Sequence, residues 1–184
     1  MKNTIGIIVG SLRKESFSKK LAQVVVGLAP TGYKFLIIPL DGLEIYNQDF
    51  DDYDMLPESY IQFRKTIFEL DGVIFITPEY NRSIPGVLKN ALDVASRPYG
   101  KNAWSGKPGA VFSNSPGNLS AFGANHHLRQ CLVSLNVPTM QQPEVYLSNA
   151  KNLFDPKGDI QDPKIMEFIG TAVNAYIQWF EKNK

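Results

Sequence analysis

Short, unbroken apolar runs alternate with amphipathic stretches along this chain, and that alternation limits its folds more than any other feature. The runs are Thr4–Val9, Tyr33–Ile38, Gly72–Thr77 and Gly109–Ser113, with a weaker one at Val137–Gln141. Strands that stay apolar residue after residue belong to parallel sheets covered on both faces. The intervening stretches carry apolar residues at spacings of three and four, the mark of helices with one face on a sheet. Phe17, Leu21, Val24, Val25 and Leu28 form the first stripe, over about residues 17–29. Tyr60, Phe63, Ile67 and Leu70 follow Pro57-Glu58. Leu88, Ala91, Leu92 and Ala95 follow Ser83, a candidate cap, with Pro85 in the first turn. Leu128, Cys131, Leu132 and Leu135 make a fourth. The last stripe runs from Ile165 to Phe180 and starts at Asp162-Pro163, an N-cap followed by proline at the first helical position.

Alternation of this kind predicts an α/β fold with a right-handed, doubly wound sheet. Of the two common strand orders, the dinucleotide-binding one needs six strands and the flavodoxin-like order 2-1-3-4-5 needs five. Five are present, so the flavodoxin-like order is expected. A length of 184 residues fits a single domain spanning 1–184. In that topology ligands bind at the carboxyl ends of the strands where the order reverses. The loops 10–18, 78–83 and 114–118 are therefore the places to look for function.

Composition narrows the function classes. A formal net charge of +1 gives no electrostatic case for nucleic acid. No apolar run approaches the ~18 residues that span a bilayer, so no membrane insertion is expected. The opening MKNTIGIIVGSLRK reads as a first strand, without a signal-peptide core or cleavage site. A lone cysteine, Cys131, excludes an internal disulfide and any multi-cysteine metal site. A cytoplasmic protein is expected.

The first loop, GSLRKESFS, sets Ser11, Ser16 and Ser18 and the cation Arg13 at a helix start. Free N–H groups and the helix dipole favour an anion there, and a phosphate monoester matches the donors. It is neither a Walker loop nor GxGxxG, and a serine N-cap beside a solvated Arg-Lys accounts for it equally well. In the second loop, TPEYNRS, Pro78 fixes the exit from the strand, Tyr80 offers a face or a hydroxyl, and Asn81 suits a tight turn with its N–H outward. A flat heteroaromatic ring wants such edge donors and an apolar wall. Glu79 is a candidate acid/base, though a solvent-facing or helix-terminal carboxylate is the better reading. In the third loop, Ser115, Pro116 and Gly117 make a turn with accessible backbone donors, or an ordinary polar loop.

Together GSLRKESFS, TPEYNRSIPGVLKNALDVASR and GKPGAVFSNSPG resemble the NADPH-dependent FMN reductase family, in particular its bacterial quinone, azo-dye and chromate reductases. The resemblance extends through HHLRQ and Pro143-Glu144. It implies non-covalent FMN, with the phosphate at Ser11, Arg13, Ser16, Phe17 and Ser18, and the ring at Pro78, Glu79, Tyr80 and Asn81. Ser115, Pro116 and Gly117 would face its pyrimidine end. It also implies NADPH or NADH as reductant, a ping-pong cycle and a small acceptor: a quinone, an azo or nitro compound, chromate or free flavin. No catalytic side chain and no metal are needed. A homodimer or homotetramer is implied, with Arg129 and Glu144 as candidate subunit ties. Three departures stand out: Ser18 where relatives often carry asparagine, Arg82 where they are often aromatic, and Asn118–Gly123 where they are often glycine-rich. Arg82 at the pocket mouth would suit anionic substrates or the NADPH phosphate.

The main rival is a flavodoxin-type single-electron carrier. Such carriers tend to be strongly acidic, with hydroxyl-rich phosphate loops that lack arginine; this chain is near neutral and has Arg13. A nucleotide-binding module without redox chemistry is a third reading. Elsewhere, DFDDYD at 49–54 lacks the glycine and distal glutamate of a calcium loop and reads as a solvated loop. Adjacent His126 and His127 point about 100° apart on a helix. Cys131 falls on an apolar stripe and reads as core. Tyr99 and Trp104 are read as wall, subunit contact or plain packing.

Overall fold

The computed structural model describes residues 3–184. Its strands β1 (Asn3–Val9), β2 (Tyr33–Ile38), β3 (Gly72–Thr77), β4 (Gly109–Asn114) and β5 (Val145–Leu147) form one parallel sheet. The order is β2-β1-β3-β4-β5, as the sequence predicts. The helices are α1 (Phe17–Gly27), α2 (Asp49–Asp52), α3 (Glu58–Phe68), α4 (Gly86–Ala95), α5 (Phe122–Ser134), α6 (Ala150–Leu153) and α7 (Pro163–Asn183).

Successive strand residues point to opposite faces of a sheet, and two cores result. Ile5, Ile7 and Val9 of β1 join Ile74 and Ile76 of β3 against α1 and α7, whose Leu21, Val25, Ile169, Tyr176 and Phe180 are buried there. Ile8, Val73 and Phe75 face the other way, against Tyr60 and Ile67 of α3, Leu88 of α4 and Leu128 of α5. Each such side chain contributes about 1.5–3 kcal/mol. Burial on both faces is why these strands carry no polar alternation. Asp162 caps α7 as expected, accepting Lys164 N–H at 2.9 Å, with Pro163 following. Among the described residues no helix is long and apolar enough to cross a membrane.

Three expectations are corrected, and one left open, Trp104, resolves to packing. Val137–Gln141 is not the fifth strand: it makes a single bridge, Gly109 with Thr139, and the ladder on β4 is built by Val145–Leu147. Pro138 lies inside the segment and Pro143 just beyond it, and neither donates an N–H, which works against a ladder there. Ser83 does not cap α4; the N-cap is Pro85, and the Ser83 hydroxyl lies 2.8 Å from His127 Nδ1. It stands too far before Gly86 to reach the free N–H groups. The 49–54 segment is not merely solvated. Asp51, with its side chain 8% exposed, forms a two-pronged pair with Arg64 at 2.6 and 2.8 Å. Trp104 is fully buried between Phe63 and Phe75, with its Nε1 donating to Leu92 O at 3.1 Å, whereas Tyr99 is 93% exposed.

Candidate functional site

The loops after β1, β3 and β4 converge on one cleft of about 180 Å³. From the first loop Ser11, Arg13, Ser16, Phe17 and Ser18 line it; from the second, Pro78, Glu79 and Tyr80; from the third, Ser115 and Pro116. Of the residues predicted from sequence, only Asn81 and Gly117 lie outside its lining. A larger groove of about 460 Å³ runs along α1, lined by Lys20, Gln23, Lys157, Asp159 and apolar side chains. It brings together none of the predicted residues.

At the α1 end, Ser11, Ser16 and Ser18 are all buried, at 5%, 3% and 1% exposure. Ser16 is the N-cap and accepts Lys19 N–H at 3.3 Å, which leaves its hydroxyl proton free to donate. Arg13 takes part in none of the ion pairs among the described residues. Hydroxyls, a helix N-terminus and an uncommitted guanidinium make a cradle for an anion. Phe17 is held by stacking on Phe154, with centroids 6.3 Å apart and planes within 6°.

The second loop explains its own composition. Tyr80 and Ser83 exchange backbone hydrogen bonds at 3.0 and 2.9 Å, closing a tight turn over Asn81 and Arg82. Both central residues are left-handed, at φ 51° and 67°. That pair of signs belongs to a type I′ turn, in which asparagine is favoured. The closing bonds do not use the Asn81 N–H, which leaves it available at the loop tip. Glu79 is the helix-terminal carboxylate of the alternative reading. Its Oε2 accepts Ala124 N–H at 3.1 Å in the first turn of α5, and its Oε1 lies 3.3 Å from Arg82 Nη1. A side chain at Gly123 would press on that Oε2 at 3.0 Å and on Arg82 O at 3.1 Å, so the approach favours glycine.

The third loop offers fewer donors than expected. Ser115 N–H is spent on Leu147 O at 3.0 Å, and Pro116 has none, leaving Gly117 as the donor of the three. Beyond it, Ser120 and Ala121 adopt left-handed backbone at φ 55° and 60°. Ser113 Oγ supports this bend by donating to Ser120 O at 2.9 Å.

Sequence reasoning missed one lining residue, Asn114. It ends β4 and is 1% exposed. Its Oδ1 accepts from Ser18 Oγ at 2.7 Å, and its Nδ2 is buried without a partner. The signal was a polar residue at the end of an apolar strand beside the switch point.

Outside the cleft, Arg129 is engaged within its own chain, donating to Asn125 Oδ1 and Met140 O, both at 2.9 Å. Glu144 accepts from Tyr146 at 3.0 Å. Burial raises the pKa of the Cys131 thiol, which suits packing rather than nucleophilic attack.

A sequence profile described as "NADPH-dependent FMN reductase" matches residues 3–152. The chain belongs to that family. The quinone reductase of Pseudomonas putida is 47% identical over 181 residues, covering 98% of this chain and 96% of the relative. The 2-hydroxy-1,4-benzoquinone reductase of a Burkholderia species is 41% identical over 175 residues, covering 95% and 94%. Among solved structures, FerB, a flavoenzyme NAD(P)H:(acceptor) oxidoreductase of Paracoccus denitrificans, superposes with a TM-score of 0.91 at 39% identity, covering 98% of both chains. As a member of the FMN reductase family the protein is an FMN-dependent enzyme with a reduced nicotinamide as its electron source, and the single-electron-carrier alternative falls away. The donor set fits that cofactor: an anion cradle at one end, a proline–tyrosine wall at the other, and an unmatched buried amide between them.

Proposed function

We propose that the cleft between the three loops holds FMN and that the protein is a quinone reductase driven by NADPH or NADH. One observation carries this reading: the phosphate-type donors of residues 11–18 and the wall formed by Pro78 and Tyr80 face one cleft at the switch point of the sheet. The names of relatives that match nearly this whole chain favour quinones over the other candidate acceptors, namely azo and nitro compounds, chromate and free flavin.

The serine hydroxyls and the start of α1 hold the phosphate, and Arg13 neutralises part of its charge. Pro78 and Tyr80 wall the ring, while the Asn81 and Gly117 N–H groups donate to its edges. Tyr80 is 51% exposed, so the mouth stays open to a second flat molecule. Bound FMN supplies the redox chemistry, taking two electrons from the nicotinamide and passing them to the acceptor in alternation, a ping-pong cycle. Arg82, exposed at the mouth beside Glu79, favours anionic substrates or the phosphate of NADPH. The whole chain acts as one FMN-binding domain, in the cytoplasm, as a homodimer or homotetramer with Arg129 and Glu144 at the subunit contact.

The test is an anaerobic visible spectrum of the FMN-loaded protein before and after NADPH, followed by benzoquinone. Bleaching straight to the two-electron form and recovery with quinone support the proposal, and parallel initial-velocity lines support ping-pong. Flavin that binds yet stays oxidised with both nicotinamides overturns it.

A further inference from the structure

Asn114 and Ser18 come from opposite halves of the chain, 96 residues apart, and meet in the wall of the cleft. Both are 1% exposed. Ser18 Oγ donates to Asn114 Oδ1 at 2.7 Å, which fixes the amide plane. The other amide atom, Nδ2, is buried with no protein partner. Turning the amide over would hand its NH₂ to Ser18 and strand the oxygen instead, so one polar atom is left over either way. Buried polar groups in folded proteins are nearly always matched, and an unmatched one calls for an explanation.

Its place limits what can match it. Ser18 lies in the first turn of α1, beside the anion cradle. The next residue along the chain, Ser115, belongs to the loop read as facing the ring. Asn114 thus stands between the two ends of the cleft. What lies between phosphate and ring in FMN is a hydroxylated chain, whose oxygens both donate and accept and so match either orientation of the amide.

Resting on the reading that FMN occupies this cleft, we infer that Asn114 is the residue that hydrogen-bonds the ribityl chain, with Ser18 as the positioning residue that holds its amide. The bond from Ser18 holds the amide in one plane, which is the positioning role assigned to it.

The experiment is a fluorescence titration of apo wild type, Asn114→Leu, Asn114→Ala and Ser18→Ala with FMN and with riboflavin, alongside apo melting curves. Asn114→Leu is expected to weaken both flavins about tenfold, the loss of one well-placed hydrogen bond. Its apo melting temperature should fall no further than that of Ser18→Ala, which breaks the same Ser18–Asn114 bond, because Nδ2 itself had no partner. Ser18→Ala should show a smaller loss of the same kind. Should the leucine variant fail to fold, Asn114→Ala removes both amide atoms without adding bulk. It should show the same weakening with both flavins. Unchanged affinity for both flavins overturns the inference. So does a loss confined to FMN, which would put Asn114 on the phosphate. An apo protein destabilised as much as binding is weakened would mark a scaffold residue and also overturn it. Failure of wild type to bind FMN would instead sink the reading beneath it.

Discussion

The carboxylate of Glu79 reaches from the loop after β3 to the first turn of α5, where its Oε2 accepts the backbone N–H of Ala124 at 3.1 Å. The side chain is 13% exposed. A carboxylate at a helix N-terminus meets both a free donor and the positive end of the helix dipole. Glu79→Ala is therefore expected to lower stability by about 1–2 kcal/mol and to weaken FMN binding by loosening the loop. Glu79→Gln keeps an acceptor and should retain turnover within a few-fold. Urea unfolding and steady-state kinetics on both variants test this. Collapse of turnover in the glutamine variant with flavin retained would make Glu79 an acid/base group.

Arg82 holds a left-handed conformation at φ 67° in a turn whose second central position favours glycine. Arg82→Gly should raise stability by about 0.5–1 kcal/mol, since its ion pair with Glu79 is largely exposed on the arginine side. If the guanidinium also recognises the NADPH phosphate, the same variant should raise KM for NADPH and leave KM for NADH near its original value. A denaturant midpoint and the two KM values are read from one preparation.

Arg13 supplies the cation of the phosphate cradle from an exposed loop position. Arg13→Ala should weaken FMN about tenfold or slightly more, the range of a charge-assisted bond partly screened by water, with little effect on riboflavin. The difference should shrink as salt is raised. Equal losses for both flavins would remove Arg13 from the phosphate.

Asp51 and Arg64 join the segment after β2 to α3, and the guanidinium also donates to Val94 O at 2.8 Å. Asp51→Ala strands a nearly buried cation, at a cost of about 3 kcal/mol. Unfolding curves measure it. FMN affinity should change little, because neither residue lines the cleft.

The Cys131 pKa is raised by burial, so the folded chain holds this proton above the ordinary thiol range. Its contribution to stability is thus complete below the unfolded thiol's pKa and is lost as pH rises through the higher folded value. Iodoacetamide at pH 8 should modify the native protein more slowly than the unfolded chain, and Cys131→Ala should keep turnover. A fast-reacting native thiol would contradict both.

Most of the architecture was legible because β1, β3 and β4 are buried on both faces, and their apolar runs say so directly. The fifth strand was not. Val137–Gln141 is apolar enough, but a ladder also needs N–H donors, and with Pro138 inside it and Pro143 just beyond, that part falls to Val145–Leu147. The site shows the same division. Asn81 could be read locally, because a left-handed turn selects its residue types. Asn114 could not, because its meaning depends on Ser18 arriving from α1. The Ser115 N–H looked free only while its partner, Leu147 O, was unknown.

The brevity of β5 has a consequence beyond the site. A sheet margin recruits strands from other molecules when it offers a long row of unpaired backbone groups. At the β5 edge the outermost strand is three residues long, with Pro143 just before it and Asn149 turning the chain away at φ 52° just after. On that side the sheet ends in a margin too short to template further growth, so any strand recruited by this fold would have to add at the six-residue β2 edge instead.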